Sequence, residues 1–154
     1  MKIAVIGFGA AAIGLLEGLK NTSHEIHVFE KSPDIYSSSI SGIRADGKLF
    51  VSKDMGGDID IDLTLQKKLV DYYVNHTHDK NIETGISFGN TPFFNKFYQE
   101  GFQPISADFY HLGTDQLKEV LFNIYENFKQ QPHIHFHFNY LVTSVEKSNG
   151  QIKI

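Results

Sequence analysis

The feature that most constrains the fold is a glycine-rich turn between two apolar runs at the N-terminus. Ile3 and Val5 alternate as on a buried strand, and Gly7 follows where the chain must turn sharply. Gly9 precedes a stretch with helical character, and a second apolar run ends at residues 28–29. This order of strand, turn, helix and strand predicts a βαβ unit and therefore an α/β fold.

The residues after the turn suit the binding of a phosphate group. The missing side chain at Gly9 lets backbone N–H groups approach a pyrophosphate, which then lies at the positive N-terminus of the following helix. Ala10 and Ala11 begin this helix, and Ala12 occupies the third glycine position, where only close packing of helix on strand is required. The segment therefore predicts a pyrophosphate contact.

An acidic residue stands at the end of the second apolar run. Glu30 follows Gly7 by 23 positions. A carboxylate at this place accepts hydrogen bonds from both ribose hydroxyls and repels a 2′-phosphate. Together with the glycine turn, it predicts that the chain binds an adenine dinucleotide.

Composition and charge exclude several classes of function. The chain has 154 residues, a net charge of −4 and no cysteine. We therefore expect no binding to nucleic acid or to an anionic membrane, no disulfide, and no thiolate catalysis. Any redox chemistry must then come from a bound cofactor. The first strand begins directly after Met1 and no apolar run reaches spanning length, so we expect a cytoplasmic protein without a signal peptide.

Helical patterns dominate the middle of the chain. Asp62 is the predicted cap of one helix, Thr91 and Pro92 begin a second, and Thr114 is the predicted cap of a long third helix. The apolar face of the first of these helices is predicted to consist of Leu65, Leu69, Tyr72 and Tyr73. That of the third is predicted to consist of Leu117, Val120, Leu121, Ile124, Tyr125 and Phe128.

The C-terminal part has the alternation of a strand and then a hairpin. Asn149 and Gly150 form the turn signal of that hairpin. Because the returning strand is only four residues long, we expect the chain to be the front part of a longer protein. His133, His135 and His137 share one face of the preceding strand. No carboxylate or cysteine lies beside them in sequence, so we predict a half-exposed strand and no metal site.

Three segments carry a resemblance to a known family: residues 7–31, residues 41–49 and residues 111–115. The chain resembles the FAD-dependent dehydrogenases of the flavoproteins with two dinucleotide-binding domains. Within this superfamily it is most similar to poorly characterised bacterial and archaeal FAD-dependent oxidoreductases. The resemblance implies an α/β, Rossmann-like FAD/NAD(P)-binding domain over residues 1–154, with an inserted, mainly helical segment at residues 54–110 towards the substrate side and a C-terminal β-hairpin.

The resemblance also implies which residues contact the FAD. Glu30 is expected to hold the adenosine ribose, and the backbone near Val142 is expected to edge the adenine. The loop around Gly42 is expected to approach the pyrophosphate or the isoalloxazine ring. The full set of implied cofactor-binding residues is Gly7, Gly9, Ala10, Ala11, Ala12, Glu30, Lys31, Gly42, Asp46, Lys48 and Val142.

These observations predict the FAD-binding N-terminal part of an FAD-dependent oxidoreductase with an unknown small-molecule substrate. NAD(P)H is a candidate electron donor. Two alternatives stay open, namely an NAD-binding Rossmann domain and a non-catalytic module for nucleotide sensing or protein interaction. No catalytic residue is assigned. His111 is a candidate catalytic residue or flavin contact, but packing beside a helix cap at Thr114 is the preferred interpretation.

Overall fold

The computed structural model describes residues 1–36, 47–53, 60, 62–78, 82–85, 92–102, 108–148 and 150–154. These residues form two compact units. The first comprises Met1–Arg44 and Leu121–Ile154, and the second comprises Ala45–Val120. In chain order the elements are β1 (Lys2–Ile6), α1 (Ala10–Leu19), β2 (Glu25–Phe29), β3 (Lys48–Val51), α2 (Leu63–Val74), β4 (Glu83–Gly85), α3 (Pro92–Gln99), β5 (Asp108–His111), α4 (Gly113–Lys129), β6 (Ile134–His137), β7 (Glu146–Ser148) and β8 (Gln151–Lys153).

The first unit contains a parallel sheet with the strand order β1-β2-β6. Ile3 pairs with Ile26, and Ile26 pairs with Ile134. One face of the sheet is apolar, and its residues Val5, Ile26 and Ile134 are buried. Helix α1 connects the adjacent parallel strands β1 and β2, as in a βαβ unit. The structure therefore confirms the predicted α/β class with a parallel, Rossmann-like sheet.

Helices contribute the remaining core of the first unit. Alternate positions of β1 and β2 point inward because side chains of a strand alternate between its faces. The buried helical side chains of this unit are Ala12, Ile13 and Leu16 of α1 and Leu121, Ile124 and Phe128 of α4. The inward positions predicted for the C-terminal half of α4 are thus confirmed, apart from Tyr125, which is half-buried.

The second unit contains an antiparallel sheet with the order β3-β5-β4 together with α2 and α3. This unit extends beyond the predicted insertion at residues 54–110, and it contains a β-sheet in addition to helices. Asp62 caps α2, because its side chain accepts a hydrogen bond from the Thr64 N–H at 2.9 Å. The prediction of this cap is confirmed.

The predicted apolar face of α2 is wrong for Leu65 and Leu69, whereas the predicted Tyr72 and Tyr73 are half-buried. Leu65 and Leu69 are 51% and 46% exposed, whereas Val70 is buried. The backbone N–H of Ser52, next to β3, donates a hydrogen bond to Oε1 of Gln66 at 2.9 Å. Gln66 and the buried Val70 lie one turn apart on the same face of the helix, and each lies one position after the predicted Leu65 and Leu69.

The observed start of α4 lies one residue before the predicted cap. Gly113, with φ of 72°, is the first residue of the helix, so Thr114 lies within the first turn. A Cβ on Gly47 would lie only 2.7 Å from the Gly113 backbone, and the Leu112 N–H donates to the Gly47 carbonyl oxygen at 2.9 Å. Two glycine backbones therefore lie in close contact at the start of this helix.

The last two strands, β7 and β8, pair antiparallel, and Gly150 between them has φ of 75°. Their residues are exposed. Within the described ranges, no helix is both long and apolar enough to cross a bilayer.

Candidate dinucleotide-binding site

A cavity of about 290 Å³ opens at the carboxyl ends of β1 and β2 in the first unit. The carboxyl end of a parallel sheet is where open α/β folds bind their ligands. The walls of the cavity come from three segments of the chain. The lining residues are Ile6, Gly7, Phe8, Gly9, Phe29, Glu30, Lys31, Tyr140, Leu141 and Val142. Five predicted cofactor-binding residues therefore lie together at one cavity: Gly7, Gly9, Glu30, Lys31 and Val142.

The glycine turn brings the backbone from β1 into α1. Gly7 has φ of 83°, a conformation that a side chain would strain, and its N–H donates to the Phe29 carbonyl oxygen at 2.8 Å. Gly9 is the N-cap of α1 and has an extended backbone, and its carbonyl oxygen accepts the first helical hydrogen bond from Ile13 N–H at 3.0 Å. No side chain caps this end of the helix.

The first turn of α1 offers its backbone N–H groups. The first N–H groups of any helix have no intrahelical partner, and the helix dipole makes this end positive. Ala10 and Ala11 are exposed, while Ala12 is buried against the sheet. The burial of Ala12 agrees with the packing role predicted for the third glycine position.

Glu30 is a buried carboxylate in the wall of this cavity. Only 6% of the residue is exposed. The Phe8 N–H donates to Oε2 at 2.8 Å, and the Ser32 N–H donates to Oε1 at 2.9 Å. Burial on its own raises the pKa of Glu30, but the hydrogen bonds from Phe8 and Ser32 outweigh it and hold the pKa below its ordinary value. The carboxylate is therefore ionised at neutral pH.

Phe8 anchors the turn that carries one of these N–H groups. Its side chain is fully buried, and its ring packs edge-on against Phe136 and Tyr125, with centroids 5.1 and 6.3 Å away. These contacts fix the backbone of residue 8, from which the N–H points to Glu30. Sequence reasoning missed this role, because a phenylalanine between two glycines gives no sign of which way its ring turns.

The third wall is held in place by hydrogen bonds to the Glu30 segment. The Tyr140 N–H donates to the Glu30 carbonyl oxygen at 2.9 Å, and the Asn139 N–H donates to the Ser32 carbonyl oxygen at 2.8 Å. Asn139 has φ of 57°, so the chain turns there after β6. This turn brings residues 140–142 to the cavity. Sequence reasoning assigned Val142 and missed Tyr140.

The other predicted residues are not among those that line the cavity. Lys48 begins β3 in the second unit, where it pairs in register with His111 of β5. His111 is half-buried and pairs with Glu83 of β4 on its other side. Gly42 and Asp46 lie outside the described residues.

The charges at the cavity indicate binding chemistry. Of the lining residues, Glu30 and Lys31 are the two that carry a charge, and the Lys31 residue is exposed at the edge. The ionised carboxylate accepts hydrogen bonds, and the uncapped helix end attracts an anion. This arrangement suits a ligand with both hydroxyl groups and a phosphate.

The solved structures that resemble this chain include two that cover almost all of it. The L-amino acid deaminase from Proteus vulgaris matches with a TM-score of 0.58 and 11% identity over 98% of this chain. THI4 from Thermovibrio ammonificans matches with a TM-score of 0.51 and 11% identity over 99% of this chain. At such low identity, these matches show a shared α/β fold. The chain spans 42% and 44% of these two proteins. No family model and no curated protein sequence matches the chain.

Proposed function

We propose that this chain binds the adenosine diphosphate part of FAD and is the FAD-binding part of an oxidoreductase that acts on a small molecule. The observation that carries the proposal is the buried, ionised Glu30 in a cavity beside the glycine turn. The sequence resemblance to FAD-dependent dehydrogenases supports the choice of FAD. When bound, the flavin supplies the hydride or electron transfer, and the protein positions it.

Glu30 suits the ribose of the adenosine. Each of its carboxylate oxygens accepts one backbone N–H and retains further acceptor capacity. The 2′ and 3′ hydroxyls of a ribose are donors that match this capacity. Because the carboxylate stays ionised, it also repels a 2′-phosphate, and so the site favours FAD or NAD over NADP.

The neighbouring walls suit the other parts of the ligand. We assign the pyrophosphate to the N–H groups after Gly9 and the adenine edge to the backbone near Val142. The cavity volume of about 290 Å³ lies at the lower end of the range of small-molecule sites. It therefore suits the adenosine end of the cofactor, and the flavin end requires further residues. The resemblance assigns that end to the loop of Gly42, Asp46 and Lys48.

An NAD-binding Rossmann domain is the second candidate, since Glu30 suits NAD as well. The strand topology speaks against it. The strand added beside β2 is β6, and the three strands between them in the chain form an antiparallel sheet. A regular NAD domain continues instead with alternating parallel strands and helices. A chain interrupted after its second strand agrees better with the resemblance to flavoproteins.

An interaction module is the third candidate, and exposed aromatic residues favour it. Phe97, Tyr98 and Phe102 are each at least half exposed. A binding experiment with nucleotides separates this candidate from the other two, because an interaction module need not bind FAD.

The test is a titration of the purified chain with FAD, followed by flavin fluorescence, with ADP, NAD and NADP as competitors. We expect saturable FAD binding that ADP displaces and that NADP does not. Glu30→Gln should weaken FAD binding by about 1–3 kcal/mol, the loss typical of hydrogen bonds to a charged group. Glu146→Gln on the exposed strand β7 is the control and should bind FAD like the wild type.

The outcomes distinguish the three candidates. Equal FAD binding by wild type and Glu30→Gln would show that Glu30 does not hold the ribose. Tighter binding of NAD than of FAD would favour the NAD-binding domain. Absence of binding to every nucleotide would overturn the proposal and favour the interaction module.

A further inference from the structure

The second face of the parallel sheet in the first unit carries titratable side chains. In β2 and β6 the buried residues Ile26, Val28 and Ile134 point to the core, so the alternate residues point away from it. His27 pairs in register with His135. Glu25 and His27 are half-buried and His135 is exposed. We call the group of Glu25, His27 and His135 the histidine face.

The parallel pairing of β2 with β6 supplies the carboxylate that the sequence around the histidines lacks. Within β6 the histidines have no carboxylate beside them, but β2 brings Glu25 to the same face. Nε2 of His27 lies 3.0 Å from Oε1 of Glu25, and the rings of His27 and His135 have centroids 5.0 Å apart. One ligand atom from each of the three residues lies within 4.8 Å of the other two.

We propose that Glu25, His27 and His135 form a binding site for a divalent transition-metal ion of the class of Zn²⁺, Ni²⁺ and Cu²⁺. Such ions bind imidazole nitrogen and carboxylate oxygen at roughly 2.0–2.2 Å, which places neighbouring ligand atoms roughly 3–4 Å apart. The nitrogen–oxygen distance of 3.0 Å between His27 and Glu25 already fits. Rotation of the exposed His135 side chain completes the set.

The surroundings of the histidine face support this assignment. Nδ1 of His27 lies 3.0 Å from Nε2 of His137. The second N–H of a metal-binding histidine normally donates to a carboxylate, a backbone carbonyl or water, which fixes the ring orientation. We assign this role here to the imidazole nitrogen of His137. Oε1 of Glu25 is the oxygen that faces His27. Lys2 Nζ lies 3.1 Å from Oε2 and 3.3 Å from Oε1, and its side chain is 76% exposed. An ion bound at Oε1 therefore requires the exposed Lys2 side chain to move away from this oxygen, and its contact with Oε2 can remain.

The donor set also selects the kind of ion. Two imidazoles and one carboxylate suit Zn²⁺, Ni²⁺ and Cu²⁺, whereas Ca²⁺ and Mg²⁺ require mostly oxygen ligands. The site has three protein ligands on a solvent-accessible face, so water fills the remaining coordination positions. This pattern is typical of an open site and differs from the four protein ligands of a structural zinc centre.

The test is a titration of the chain, free of any polyhistidine tag, with Co²⁺ followed by its visible absorption, and then competition with Zn²⁺. We expect saturation at one ion per chain and displacement by Zn²⁺. Glu25→Gln, His27→Gln and His135→Gln should each weaken Co²⁺ binding more than the roughly 10–100-fold typical for the loss of an outer hydrogen-bond partner. His137→Gln should fall within that smaller range.

His78→Gln is the matched control. His78 is exposed and contacts the carboxylate of Glu119, and the structure shows no third ligand beside this pair among the described residues. This variant should bind Co²⁺ like the wild type. Circular dichroism checks folding, and the exposed His135 variant carries the test should His27→Gln fail to fold.

Three results would overturn the proposal. The first is the lack of saturable binding by the wild type at millimolar Co²⁺. The second is wild-type affinity in a folded His135→Gln variant. The third is an equal loss of affinity in His78→Gln, which would indicate general binding to surface histidines.

Discussion

The cavity and the histidine face belong to the same sheet but are built in different ways. The cavity consists of backbone turns and a buried carboxylate, since Glu30 is 6% exposed and is held by the N–H groups of Phe8 and Ser32. The histidine face consists of side chains from two paired strands, and His135 is exposed. Substitutions in the cavity are therefore expected to change the stability of the fold, whereas substitution of the exposed His135 is expected to leave the stability of the metal-free chain nearly unchanged.

The largest effect is expected at Phe8, whose ring holds the turn of the cavity. Phe8→Ala should lower the free energy of unfolding by about 3–5 kcal/mol, because it removes a fully buried aromatic ring. Urea unfolding measures this change. Phe102→Ala, at a residue that is 64% exposed, is the control and should change stability by less than about 1 kcal/mol. Similar losses of unfolding free energy in the two variants would contradict the role of Phe8 in joining the cavity to the core.

The next largest effect on stability is expected at Glu30, and it depends on pH. Because the pKa of Glu30 is held below its ordinary value of 4.5, the folded chain keeps the charge at a pH where the unfolded chain is protonated. The stabilisation is complete above pH 4.5 and disappears as the pH falls through the lower pKa of the folded state. Glu30→Gln should cost about 1–3 kcal/mol at neutral pH, since its amide NH₂ faces a backbone N–H donor.

The midpoints of urea unfolding, measured from neutral pH to below pH 4.5, show how the stability conferred by Glu30 depends on pH. The difference between wild type and Glu30→Gln should shrink as the pH falls. A difference that stays constant over this range would mean that the charge of Glu30 does not stabilise the fold. The exposed Glu146→Gln serves as the control.

Two glycines of the first unit give a matched pair with opposite signs. A Cβ meets nothing within 4 Å at either Gly7 or Gly18, but Gly7 has φ of 83° whereas Gly18 lies within α1. Gly7→Ala should therefore cost about 1–2 kcal/mol through backbone strain alone. Gly18→Ala should stabilise the chain by about 0.4–1 kcal/mol. Thermal unfolding compares the two, and a neutral Gly7→Ala would contradict the strained geometry of the turn.

The two regions also differ in how far the sequence alone predicts them. The residues from Lys2 to Glu30 form one local βαβ motif, so the glycine turn and the acid could be assigned from their spacing. The wall at Tyr140 depends on the pairing of β2 with β6. The histidine face depends on the same pairing, and the contact of His27 with His137 joins positions 110 residues apart. No local pattern encodes such a contact.

The helices show the same limit. The cap at Asp62 is local and could be predicted, but the side of α2 that contacts the neighbouring segment includes Gln66, which accepts a hydrogen bond from Ser52. Similarly, the backbone of Gly113 at the start of α4 lies against Gly47. Propensity and periodicity within a helix do not encode such contacts between separate segments.

The smallest effect on stability is expected at His135. Its side chain is exposed on the histidine face, so His135→Gln should change the free energy of unfolding by no more than about 0.5 kcal/mol without metal. With Zn²⁺ present, the wild type should gain stability in proportion to the logarithm of the Zn²⁺ concentration, because the ion binds the folded state. The variant should lose most of this gain. Thermal unfolding with and without Zn²⁺ measures both, and an equal gain in the two proteins would place the bound ion away from the histidine face.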